Sequence, residues 1–128
     1  MSYQFFIAKT AGAIAAAAFA TAAFAHPRLL GSTPEDNSTV SAPEKIELRF
    51  SENLSKQFSG ASLMMTSMPG MNHTAPMKVG AKISGAEDPK TMVITPTQPL
   101  MPGVYSIDWR AVSSDTHPIT GKVTFAVK

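Results

Sequence analysis

Lys45-Ile46-Glu47-Leu48-Arg49-Phe50 alternates charged and apolar residues without a break. Successive side chains of an extended strand point to opposite faces, so Ile46, Leu48 and Phe50 share one face and the three charges share the other. A helical period of 3.6 would scatter these residues around the axis instead. The same alternation recurs in Tyr105, Ile107 and Trp109 set against Ser106, Asp108 and Arg110. It recurs again in Val123, Phe125 and Val127. Shorter apolar runs at 28–32, 61–66, 78–83 and 91–95 complete a set of about seven strands. Turn signals stand between them, at Pro34-Glu35-Asp36-Asn37, at 85–89 and at 96–103. Many short strands with regular turns predict an all-β, antiparallel Greek-key sandwich or barrel. Leu100-x-x-Gly103-x-Tyr105 has the form of a tyrosine corner, in which a Tyr at a strand start bonds back across the preceding connection.

The first 25 residues do not belong to that pattern. They hold a single charge, Lys9, followed by an Ala-rich run and the small-x-small site Ala23-Phe24-Ala25. This is the pattern of a cleavable secretory signal peptide, so 1–25 is set apart from the folded domain, 26–128. The apolar run falls short of the roughly 20 residues of a membrane-spanning helix. Ten Lys and Arg against nine Asp and Glu remain in 26–128. So small an excess offers no field for a phosphate backbone, which argues against nucleic acid as a partner. The chain has no cysteine, which excludes disulfides, thiol redox chemistry and a blue-copper centre.

Three features carry chemistry. Cleavage after Ala25 leaves His26 with a free α-amine, and amine plus imidazole can chelate one metal ion. Pro27 follows and has no N–H, so a metal cannot go on to displace that amide proton. The ordinary reading is that any residue can follow a cleavage site. The second feature is Ser113-Ser114-Asp115-Thr116-His117-Pro118. Pro118 favours extended geometry at His117, and in an extended segment Asp115 and His117 project the same way. With two nitrogens from His26 they make a tetragonal N,O set that suits Cu(II). The plainer reading is a polar turn in which Asp115 caps backbone N–H groups.

The third feature is a run of methionines, Met64, Met65, Met68, Met71 and Met77, with His73 among them. Met68-Pro69-Gly70-Met71-Asn72-His73-Thr74-Ala75-Pro76-Met77 has neither helical nor strand periodicity, so it is expected to be a loop. Thioethers on a loop are soft, neutral ligands that favour Cu(I). The competing reading is methionine as adaptable packing or a promiscuous interface. Met64 and Met92 fall within strands, where a core role suffices. The Ser, Asp and His of 113–117 lie too close together for a hydrolase triad, and no G-x-S-x-G elbow exists.

Taken together these residues resemble the CopC family of periplasmic copper-resistance proteins. The resemblance runs through His26-Pro27, Ile46-Glu47-Leu48-Arg49-Phe50-Ser51-Glu52-Asn53-Leu54, Met68-Pro69-Gly70-Met71, and the long run from Asp108-Trp109-Arg110 to Thr116-His117-Pro118-Ile119-Thr120-Gly121. It implies a cupredoxin- or immunoglobulin-like barrel with copper sites at opposite ends. Carried over, the Cu(II) site is His26, Asp115 and His117, and the Cu(I) site is Met65, Met68, Met71, His73 and Met77. The chain departs from the family pattern by one extra residue between His73 and Met77. The resemblance further implies a non-enzymatic periplasmic copper carrier for resistance and homeostasis. It would be a monomer, with copper-bridged pairing as the other state, and would pass copper to an inner-membrane transporter or another periplasmic copper protein. Two other classes compete with this reading. A histidine-brace copper monooxygenase needs an open copper face and a broad platform, and Asp115 would fill a copper position. A plain adhesive sandwich would hold no metal.

Overall fold

The computed structural model describes residues 26–71 and 75–128. Nine strands are named among them, and they form two sheets. They are β1 (Leu29–Thr33), β2 (Ser38–Val40), β3 (Ile46–Phe50), β4 (Gly60–Ser67), β5 (Met77–Val79), β6 (Ala81–Gly85), β7 (Thr91–Pro96), β8 (Gly103–Val112) and β9 (Pro118–Val127). The four-stranded sheet runs β1-β3-β7-β6 and the five-stranded sheet β2-β9-β8-β4-β5. The chain is an all-β Greek-key sandwich, as the alternation predicts.

The period-two faces do what their pattern requires. Ile46, Leu48 and Phe50 of β3 are buried, and they face Tyr105, Ile107 and Trp109 of β8 and Val123, Phe125 and Val127 of β9. Phe50 meets Trp109 edge to face at 5.1 Å, while Tyr105 stacks on Phe125 at 5.6 Å, both within the range aromatic pairs favour. Tyr105 Oη donates to the Met101 carbonyl at 2.6 Å, which closes the tyrosine corner. Burial pushes this phenol above its usual pKa, partly countered by that bond, so it stays a donor.

The expected seven strands become nine in two ways. The run 78–83 is divided: β5 pairs with β4 in one sheet and β6 pairs with β7 in the other. Gly80 makes the crossing, with its carbonyl accepting Thr97 N–H at 3.0 Å. A Cβ on Gly80 would stand 2.6 Å from Thr97 Oγ1. Three-residue β2, which the sequence pattern does not disclose, runs parallel to the end of β9.

β8 and β9 pair over their full length, with Trp109 directly opposite Gly121. The indole lies over Gly121, so a Cβ there would overlap the ring. Gly121→Ala is therefore expected to destabilise the domain by about 1–3 kcal/mol, the usual cost of overpacking. In a domain of this size that lowers Tm by roughly 4–8 °C per kcal/mol, which a thermal melt will read.

Candidate metal centre

The turn between β8 and β9 builds one end of the site. Thr116 takes a left-handed φ of 64°, and its N–H donates to the Ser113 carbonyl at 3.0 Å. Asp115 and His117 are therefore brought together by a tight turn. They are not aligned along an extended segment, as the D-x-H spacing suggested. Asp115 Oδ1 accepts the Ser113 hydroxyl at 3.0 Å and the His117 N–H at 3.2 Å. This is the capping role of the plainer reading, and it leaves the other carboxylate oxygen uncommitted.

That oxygen faces His26. Asp115 Oδ2 is buried and receives no well-directed hydrogen bond, yet His26 Nδ1 lies 2.7 Å away. The ring of His117 stands 5.8 Å from that of His26, and one donor atom from each of the three residues lies within 4.8 Å of the others. Two donors bound to one ion at about 2.0–2.2 Å stand no more than about 4 Å apart. Exposed His26 and His117 can close that small gap by side-chain rotation. A buried carboxylate oxygen beside two imidazoles is a donor set that suits a borderline cation.

The approach of His26 is fixed from below. The Pro27 side chain is fully buried. Arg28 N–H donates to Ser51 Oγ at 2.9 Å, and Ser51 N–H returns a bond to the Arg28 carbonyl at 2.9 Å. Pro27 thus anchors the segment that carries His26, a role its missing N–H did not suggest. Burial raises the Asp115 pKa, but the His117 N–H, the Ser113 hydroxyl and His26 outweigh it. They hold the carboxyl below the usual carboxylate range.

The methionines gather at the other end of β8, whose ten residues span roughly 30 Å at 3.4 Å each. Met65 of β4 sits opposite Met77 of β5 in register, so Met77 belongs to a strand and not to the expected loop. Met77 therefore lies beside Met65. Met68-Pro69-Gly70-Met71 forms a tight turn, with Met71 N–H bonded to the Met68 carbonyl at 3.1 Å and Gly70 at φ 78°. Pro then Gly at the centre suits a type II turn.

Met65, Met68 and Met77 line one hollow, over Tyr105. Met71 is exposed on the same turn and does not line it. His73 lies outside the described residues, as does the expected signal peptide 1–25. Met64, next to Met65, takes the opposite face of β4 and is half-buried, while Met92 is core.

Fold and site together define a small β-sandwich with an imidazole–carboxylate cluster at one end and a thioether cluster at the other. The CopC domain model matches residues 29–128, and the chain belongs to the CopC family. It is 67% identical over 104 residues to copper resistance protein C of Pseudomonas syringae pv. tomato, covering 81% of this chain and 82% of that one. It is 57% identical over 119 residues to copper resistance protein C of Escherichia coli, covering 93% of each. Among solved structures, it matches that of PcoC, a methionine-rich copper resistance protein from Escherichia coli. The TM-score is 0.75 at 59% identity, over 81% of this chain and all of that one.

Proposed function

We propose that the chain is a periplasmic copper carrier, exported by the signal peptide 1–25 and beginning at His26 once processed. Cu(II) is held by the His26 amine and imidazole with Asp115 and His117. Cu(I) is held at the far end by Met65, Met68, Met71, His73 and Met77. The single observation that carries this reading is the meeting of His26, Asp115 and His117, with the buried Asp115 Oδ2 2.7 Å from His26 Nδ1 and one donor atom of each residue within 4.8 Å of the others. The relatives, named for copper resistance, support copper as the cargo.

Nitrogen and carboxylate suit the oxidised ion, and thioether suits the reduced one. A change of oxidation state therefore favours moving copper between the two ends. We propose handover to an inner-membrane copper transporter or another periplasmic copper protein, with no turnover chemistry.

Separate titrations of the processed protein with Cu(II) and with Cu(I) test this. His26→Ala is expected to weaken Cu(II) binding and spare Cu(I). Met68→Leu with Met71→Leu is expected to do the reverse. Leu keeps the methionine volume, so the fold survives the exchange. Parallel losses for both ions in either variant would overturn the two-site reading.

A further inference from the structure

The Met65, Met68 and Met77 hollow has a fourth methionine, one the clustering along the sequence does not include. Met101 lies in the connection between β7 and β8, 24 residues beyond Met77, and lines the same hollow. Its side chain is 55% exposed, matching Met77 at 54% and Met71 at 55%. These three are among the few large apolar side chains left in solvent, and all stand at this end of the sandwich. Their exposure is not explained by packing, since the core is filled by other residues.

We infer that Met101 is a further thioether donor to Cu(I), reaching the ion from the β7–β8 connection. This rests on the proposed Cu(I) site. Its backbone is already fixed, because Tyr105 Oη holds the Met101 carbonyl at 2.6 Å. Its side chain is free to move: methionine is unbranched with three rotatable bonds, so the sulfur can swing over the hollow without a shift of the chain. A neutral thioether adds no charge and competes for no proton, which suits a reduced soft ion. Cu(I) would then tie the β7–β8 connection to β4 and β5, in place of being held from one side.

The test labels the methionine methyl groups with carbon-13 and titrates the purified protein anaerobically with Cu(I). The Met101 resonance is expected to move along the same saturation curve as those of Met65, Met68 and Met77, while buried Met92 stays still. In competition with a chromophoric chelator, Met101→Leu is expected to weaken Cu(I) binding about tenfold, a loss of roughly 1.4 kcal/mol, with Cu(II) binding unchanged. Leu preserves the volume, and the Tyr105 bond goes to the backbone, so the fold is retained. If Met101 stays still while the other three move, the inference fails and the Cu(I) site stands. Movement of Met101 without loss of affinity in Met101→Leu marks a bystander and equally overturns it. If none of the four moves, the Cu(I) reading itself fails.

Discussion

Acetylating the α-amine of the processed chain is expected to weaken Cu(II) binding by more than the roughly 10–100-fold lost with a group that only hydrogen-bonds to a metal ligand. The amine and the His26 imidazole belong to one residue, so the two nitrogens close on the ion as a chelate. Capping removes the amine lone pair and leaves the ring to bind with Asp115 and His117 alone. The fold should not notice: Pro27 stays buried, and the paired bonds between Arg28 and Ser51 do not involve the amine. Cu(I) binding at the proposed thioether site, some 30 Å away at the other end of β8, should be unchanged by the same estimate of strand rise. The measurement is a competitive titration of acetylated and free protein side by side, with a thermal melt of each. Equal Cu(II) affinity in the two would remove the amine from the site and, with it, the proposed maturation at His26.

Much of the fold was legible because its central strands are buried on one face only. β3 and β9 alternate cleanly because each packs one face on the core, and β8 does so in its middle. The division of 78–83 into β5 and β6 was not legible. Gly80 is the local mark of a break, but the long-range contact with Thr97 beside it, and the sheet each half joins, are not local. β2 is three residues held by a parallel pairing with β9, too short for any period to show.

The candidate site divides along the same line. Residue types alone identified His26, Asp115 and His117, and the structure brings them within 4.8 Å. The reason for their meeting differs, however: the left-handed Thr116 turns the chain where extended geometry was expected. Met101 stands apart from the methionine run in sequence, so spacing alone does not place it with the others. The tyrosine corner is legible in the sequence, but the pairing of β8 with β4 that sets Met101 beside the other methionines is not.

The two oxidation states are expected to respond differently to pH, and by a large factor. An α-amine ordinarily titrates at about 7.7–8.0 and an imidazole at about 6.5. On the proposed assignment Cu(II) must displace protons from amine and imidazole nitrogens, so its affinity is expected to fall steeply between pH 7 and pH 5. Thioethers hold no proton in that range. Cu(I), held mainly by thioethers in the proposed site, is expected to lose far less. Asp115 adds nothing to the Cu(II) slope here. Its pKa is held down by the His117 N–H, the Ser113 hydroxyl and His26 against the upward pull of burial. Any stabilisation from a depressed carboxylate is complete above the ordinary value of about 3.9 and is lost only as pH falls through the lower folded value, outside the measured window. The check is a competition titration for each ion at several pH values. Equal slopes for Cu(II) and Cu(I) would mean that both ions use the same donors, and the assignment of nitrogen to one end and sulfur to the other would have to be given up.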